Sequence, residues 1–426
     1  DKLPDEPASG GEDRLFGKLP GIDPDYDLIM EESLAKNEYP AAKIAAANAA
    51  DHTTLAAKFC TPEVWEKYKD AKSSGPAKWT MARAINTGIM YPHSFVGCHA
   101  GDRESYDEFS DFFYPVIEAY HKGFSMAVGS QLQGTASERM DPGKIATDLS
   151  DAAKSKIVST RIRIARNLSM FPLNPGGTKE SREEIAGMMQ KVYDSLAGTE
   201  LGGQFFLHTT MSDEQRQALI DGHQLFRGKD KMQAASGYHE HWPHGRGVFH
   251  NPDKTFVNWV NEGDHVRIIS MQNGGDVRAV FARLSAGAKA IEDGVRAATG
   301  VTGEVFMMHP KFGAVTCCPS NIGTGMRGSV HILVPKLIAA IGFDAIDKLA
   351  RERNCQARGS SGEHSAVVDR IDISNWRRIG YPEYELVQDM INCANFLAGE
   401  EDKLPDEPAS GGEDRLFGKL PGIDPD

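Results

Sequence analysis

The sequence predicts an α+β protein in which a small α-helical domain precedes a larger domain that mixes strands and helices. Three observations carry this. Residues 26–90 read mostly as helices. From about residue 134 onward, capped amphipathic helices are interspersed with strands that alternate apolar and polar residues. The chain has 426 residues, of which 40% are hydrophobic and 25% charged, enough for two or three domains whose cores need no staples.

The helical part is read from its helix formers and its caps. AAKIAAANAA (41–50) is rich in the residue with the highest helix propensity. TPEVWEKYKDA opens with a capping Thr61, a proline at the first helical position and an early glutamate, Glu63. Residues 108–122 read as a further helix. In the larger domain, SREEIAGMMQKVYDSLA starts with the capping box Ser181-x-x-Glu184, and SDEQRQALIDGHQLF with Ser212-x-x-Gln215. Strands are predicted at 157–166, 264–271 and 327–334.

Those three strands share a pattern. Side chains alternate between the faces of a strand. In the first, Ser159, Arg161 and Arg163 lie opposite Ile162 and Ile164; in the third, Arg327, Ser329 and His331 lie opposite Val330 and Ile332. In the second, His265 and Arg267 lie opposite Val266 and Ile268. Any one such strand is accounted for by a solvated sheet face. Three together point to a platform for an anion, because the planar guanidinium fork binds two phosphate oxygens at once. A triphosphate or a transferring phosphoryl group suits it, since catalysis there is mainly positioning and charge neutralisation.

Composition and motifs exclude several classes. A net charge of −13 and a pI near 5.6 argue against nucleic-acid binding. No run of 18 apolar residues predicts a membrane span. The six cysteines, at 60, 98, 317, 318, 355 and 393, form no C-x-x-C pair, so no protein-held metal is expected. They read as reduced thiols in a reducing, cytoplasmic compartment. There is no GxxxxGK[ST] loop and no GxGxxG after a strand, so phosphates must be held by side chains. Magnesium would then be bound through the nucleotide and water.

Residues 1–25 recur unchanged as 402–426. The simplest reading is a chain cut from a longer polypeptide with a repeat unit of 401 residues, covalently linked to further copies of itself; an artificial duplication is the alternative. The segment is rich in Pro, Gly, Asp and Glu and reads as a linker. The expected organisation is a linker and extension over 1–49, a helical domain over 50–133, a catalytic domain over 134–401 and the repeated linker over 402–426.

The stretch CPSNIGTGMR (318–327) resembles the signature of the phosphagen kinases, the arginine kinase and creatine kinase family. STRIR (159–163), HWPHGRGVFHN (241–251), WVNEGDHVRIISMQ (259–272), RGSSGEH (358–364) and DISNWRRIG (372–380) are similar to its other motifs, in the same order. The resemblance implies that the larger domain holds an antiparallel sheet flanked by helices. It implies reversible phosphoryl transfer between ATP and a guanidino compound, with magnesium carried by the nucleotide. It assigns Arg161, Arg163, Arg267, Arg327 and Arg358 to the phosphates, with Ser159 and Ser329 beside them, and His223 and His331 to the adenosine side. Cys318 would lie beside the guanidino group as a positioning thiol, which neighbouring arginines could hold as a thiolate.

A guanidinium is a poor nucleophile while protonated, so a carboxylate must orient it and accept its proton. The family supplies two glutamates. One corresponds to Glu363, in a glycine-rich loop able to close over substrate. The other falls in the family pattern N-E-E-D-H, which here reads Asn261-Glu262-Gly263-Asp264-His265, so Gly263 stands at its place. Glu262 and Asp264 are the replacements at hand, although in a strand both point away from the face used by residue 263. Ser361 likewise stands where arginine kinases often have arginine. The loop 86–102 resembles the family's specificity loop, with Thr87-Gly88-Ile89 expected to hold the substrate carboxylate by backbone N–H groups. Its length suits arginine first and taurocyamine next. A catalytically impaired nucleotide-binding unit of an array is the second reading, and a protein-arginine kinase the third.

Overall fold

In the computed structural model, residues 38–50, 53–92, 94–130, 132, 134–227, 231–359 and 370–405 are described. Glu363, Ser361 and most of both copies of the repeat lie outside the described residues. Among the described residues ten strands are formed: β1 Ile157–Arg166, β2 Gln204–Leu207, β3 Gly247–His250, β4 Phe256–Val260, β5 Val266–Asn273, β6 Met308–His309, β7 Gly313–Ala314, β8 Met326–Leu333, β9 Cys355–Gly359 and β10 Arg370–Asn375. Eight of them make one antiparallel sheet in the order β2-β3-β4-β5-β1-β8-β10-β9. The predicted strand at 157–166 has the observed bounds, and the other two lie within two residues of theirs.

The alternation decides what each face does. Ile162, Ile164, Ile268, Val330 and Ile332 are fully buried on one face, under the helices Lys179–Ser195, Val277–Thr299 and Glu383–Asp402. Phe249, Phe256 and Phe281 fill this core. The opposite face carries the arginines, aligned by register: Arg161 pairs with Ser329, Arg163 with Arg327, and Ala165 with Arg267.

The helical domain runs through Ala41–Ala49, Leu55–Phe59, Pro62–Tyr68, Met81–Met90, Glu104–Glu108 and Ser110–Tyr120. Thr61 caps Pro62–Tyr68 by accepting from the Val64 N–H, with proline at the first position as its sequence predicts. The Ser212–Gln215 capping box is present. The expected box at Ser181 moves three residues back, because Thr178 is the cap and Ser181 its partner. The helical core of Trp65, Trp79, Tyr106, Phe109, Phe112 and Phe113 continues across the domain boundary to Leu173, Tyr238, Met307, Phe312, Val315 and Cys317. The first residues of the second repeat copy belong to the fold. Asp402 ends the last helix and pairs with Lys156 at 2.6 Å, and the Leu404 carbonyl accepts from Lys336 at 2.8 Å.

Arg182 ties three segments near the sheet. It is 1% exposed and donates to the Asn174 side chain and carbonyl (2.9 and 2.6 Å) and to the Gly177 carbonyl (2.8 Å). Its own carbonyl accepts from Asn261 Nδ2 at 3.1 Å. Arg182→Met keeps the aliphatic volume and leaves these buried acceptors unpaired. Urea unfolding should show a loss of about 3 kcal/mol.

Candidate active site

Near the arginine-bearing ends of the central strands, Arg163, Arg267, Arg327 and Arg378 line a small pocket with Ala165, Asn321 and Gly325. Arg161 and Arg267 lie 5.7 and 5.9 Å from the ring centre of Trp259, which spreads part of their charge over an aromatic face. Two carboxylates meet the cluster. Glu262 Oε2 lies 3.2 Å from Arg267 Nη2, and Asp372 Oδ2 lies 3.0 Å from Arg327 Nη2 and 3.4 Å from His331 Nε2.

The charges show in the ionisation of the groups. Burial, then Arg327 and Arg267, push Arg161 down to about 10. Arg163 is driven well below its ordinary value by burial and by Arg267, Arg161 and Arg327. Burial alone would raise Glu262, but Arg267, Gln233 and Arg163 hold its carboxyl below the usual range. Against burial in the same way, Arg327 and His331 hold Asp372 down at about 2. A face whose cations depress one another in this way is a ready host for a polyanion.

The predicted nucleotide residues fall on this one face to different degrees. Ser159 Oγ lies 3.3 Å from His331 Nδ1, and Ser329 is buried opposite Arg161. Arg358, on β9, is in register with Asp372. His223 stands exposed on the turn after the helix Asp213–Asp221 and is not among the pocket's lining residues. His265 is corrected from the arginine face to a structural role: its Nδ1 accepts from the Leu168 N–H, and its Nε2 donates to the Pro172 carbonyl.

Arg378 was not singled out in the sequence. It follows β10 in a loop, so no strand alternation marks it, although it lies within DISNWRRIG. Its guanidinium bonds Ser320 O at 2.7 Å and Asn321 Oδ1, and so fixes the segment after Cys318 against the pocket. Two glycines let that segment approach. Gly323 and Gly325 have φ of 97° and 63°, and a Cβ would meet Arg378 O at 2.3 Å and Ala165 O at 2.8 Å respectively.

The helical domain grips the cysteine segment from the other side. Ala100 N donates to Cys317 O (2.8 Å), Tyr106 Oη to Thr316 O (2.7 Å) and His121 Nε2 to Pro319 O (2.8 Å). Cys318 Sγ lies 3.0 Å from Ser320 Oγ. The expected thiolate is corrected. Burial, with Asp264, pushes the Cys318 thiol up, against Ser320 and Arg378.

Two expectations on the guanidino side are also corrected. Residues 261–265 form a turn and not a strand, with Asn261 at a φ of 56°, so Glu262 does reach the arginine face. Thr87, Gly88 and Ile89 are buried in the helix Met81–Met90, and the Gly88 N–H is taken by Gly97 O at 2.7 Å, so it is not presented to a ligand. The exposed tip of this region is Phe95, 61% exposed with a φ of 60° and edge-on to Tyr120. Glu363 lies outside the described residues.

With this geometry in view, the comparisons with known proteins are specific. Residues 184–404 match the ATP:guanido phosphotransferase C-terminal catalytic domain, and residues 50–118 match the N-terminal domain of the same family. The chain belongs to the ATP:guanido phosphotransferase family. It is similar to arginine kinase Lit v 2 of Penaeus vannamei, 39% identical over 80% of this chain and 91% of that protein. It is also similar to an arginine kinase of Anthopleura japonica, 40% identical over 81% of this chain and 46% of the relative. Among solved structures it resembles the substrate-free duplicated taurocyamine kinase from Schistosoma mansoni, with a TM-score of 0.75, 31% identity, and 86% of this chain against 49% of the other. A lombricine kinase structure gives a TM-score of 0.73 at 32% identity, covering 83% of this chain and 93% of that one. The chain thus spans about half the length of the Anthopleura and Schistosoma proteins.

The Asp372 pair gives a pH dependence of known sign. The folded state holds this carboxyl at about 2 against an ordinary 3.8. Its ionised form therefore stabilises the fold above the ordinary value, and that contribution is lost as the pH falls through this window. Asp372→Asn should cost about 2 kcal/mol near neutrality and flatten stability against pH between 4 and 2. Denaturant titrations at stepped pH read both effects.

Proposed function

We propose that this chain catalyses reversible phosphoryl transfer between MgATP and a guanidino compound, with L-arginine the first candidate, and so buffers ATP. The observation that supports it most is the four-arginine pocket at the strand ends, in a chain of the ATP:guanido phosphotransferase family. Arginine rather than another guanidine is favoured by relatives named as arginine kinases. The taurocyamine and lombricine kinase structures keep those substrates in the comparison.

In this reading Arg161, Arg163, Arg267, Arg327 and Arg358 bind the nucleotide phosphates and neutralise the charge that spreads over the moving phosphoryl group. Ser159, Ser329 and His331 border the nucleoside side. Arg378 holds the Cys318 segment so that the thiol packs beside the guanidino group. Glu262, fixed on Arg267, is the described carboxylate nearest to the role of orienting the guanidinium and accepting its proton, with Glu363 as its partner by resemblance. Among the described residues no group of three Asp, Glu, His or Cys side chains gathers to hold a metal, and converging guanidiniums repel a bare cation. The site therefore fits magnesium only as an ion carried by the nucleotide, where it would shield phosphate charge.

A second reading is favoured by Gly263. This unit binds nucleotide but turns over slowly, and other units carry the activity. The identity of residues 1–25 with 402–426, and the half-length match to two relatives, support our proposal that such units are covalently linked. Six free cysteines support a reducing compartment such as the cytoplasm.

The deciding assay offers MgATP with arginine, taurocyamine, glycocyamine, lombricine or creatine. Arginine should give the highest kcat/KM. Nucleotide binding with no phosphagen from any compound would leave only the second reading. Arg327→Ala should lower kcat/KM by roughly 100- to 1,000-fold, because it removes a preorganised cation from the phosphoryl pocket.

A further inference from the structure

We propose that Tyr238 occupies the space a side chain at position 263 would need, and that the Gly263–Tyr238 pair sets the shape of the guanidino half of the site. This rests on the guanidino-kinase reading above.

Gly263 lies in the turn between β4 and β5, where the phosphate pocket meets the cysteine pair. Its N–H donates to Glu262 Oε2 at 2.7 Å, and its carbonyl lies 3.1 Å from Cys317 Sγ. On one side Glu262 is paired to Arg267; on the other, Asp264 Oδ1 accepts from Cys317 N at 3.0 Å. Glycine is often needed for a left-handed backbone, but Gly263 is not among the glycines with positive φ. The backbone here would accept another residue, and space is what forbids it. A Cβ at 263 would lie 2.8, 3.3 and 3.5 Å from Cε2, Cδ2 and Cζ of Tyr238.

Tyr238 is not free to give way. It is 6% exposed, and its hydroxyl lies 2.8 Å from Cys317 Sγ. Its ring meets His99 edge-on at 5.2 Å, and its carbonyl accepts from the fully buried Arg246. The ring therefore walls this part of the site with a phenol and a thiol. Burial, with Cys317, Cys318 and Asp264, pushes the phenol well above its ordinary value, so it stays neutral and supplies no negative charge. From this turn, the carboxylate on the arginine side is Glu262. Restoring a glutamate at 263 would then require removing the ring as well.

The test is a mutant cycle of Gly263→Glu, Tyr238→Ala and the double variant, with Gly263→Ala and Tyr238→Phe/Gly263→Glu as controls. Read-outs are Tm, MgADP affinity by calorimetry, and kcat and KM for the best guanidino substrate. Gly263→Glu and Gly263→Ala should lower Tm in the Tyr238 background, the former by roughly 5 °C, as overpacking does. The double variant should recover most of that loss relative to Tyr238→Ala, while Tyr238→Phe/Gly263→Glu should not. MgADP affinity should change less than the guanidino KM, because the clash is with the Tyr238 ring and not with the arginines that line the phosphate pocket. The double variant should exceed Tyr238→Ala in kcat by roughly tenfold or more, the lower part of what a positioned acid–base group contributes. An additive Tm cycle in an enzyme that does form phosphagen would overturn this proposal alone. A non-additive cycle with no phosphagen formed by the unaltered chain would support the steric pair and overturn the functional reading beneath it.

Discussion

Several guanidinium groups of one sign, largely desolvated and crowded at the ends of three adjacent strands, repel one another, and much of the structure serves to hold them there. At an effective dielectric near 20, two unit charges about 4 Å apart repel by about 4 kcal/mol. The antiparallel register leaves Arg163 and Arg327 directly paired and Arg267 one strand away. Only a rigid frame can impose this, and the opposite face supplies it: Ile162, Ile164, Ile268, Val330 and Ile332 are sealed under three long helices. Trp259, Glu262 and Asp372 reduce the repulsion without cancelling it. On the proposed reading, what remains is released when an anion enters, so the cost of assembling the cluster becomes affinity for phosphate.

The same economy explains the contact between the two domains. A pocket at strand ends is open on one side. Here Asn321 and Gly325 line it, and the chain leading to them is held at Thr316, Cys317 and Pro319 by Tyr106, Ala100 and His121 of the helical domain and at Ser320 and Asn321 by Arg378 of the catalytic one. The position of Cys318 thus depends on both domains at once. The shared core through Tyr238, Phe312 and Cys317 makes that dependence stiff.

Much of this was legible in the sequence because it obeys local periodicity. Period-two alternation located β1, β5 and β8 and sorted Arg161, Arg163 and Arg267 from the isoleucines between them. The cap at Thr61 and the capping box at Ser212 were read from residue type and spacing alone. What failed has physical reasons. Arg378 sits in a loop, where no period marks a direction. Gly88 was assigned to a substrate-holding loop, but it is a packing glycine in a helix: a Cβ there would lie 2.7 Å from Ala56 Cβ. Glu262 was assigned to a strand face, but the left-handed Asn261 turns the chain before it. The ionisation of Cys318 depends on burial, which no short motif reports.

The two halves of the site make unequal demands, and this bears on Gly263. On the proposed reading the phosphate half spreads its charge over several arginines, each of which contributes strongly to stabilising the transferring group. The guanidino half must seat a cation beside a cationic cluster, and each carboxylate there counts singly. With glycine at 263, Glu262 must both neutralise Arg267 and face the incoming guanidinium. It can do so once a bound nucleotide has taken over the neutralisation of the arginines. On the proposed reading, nucleotide charge does more than present the phosphoryl group, because it frees the remaining carboxylate for the substrate. That makes favourable guanidine binding conditional on nucleotide in this chain more strictly than in one with two carboxylates on this turn.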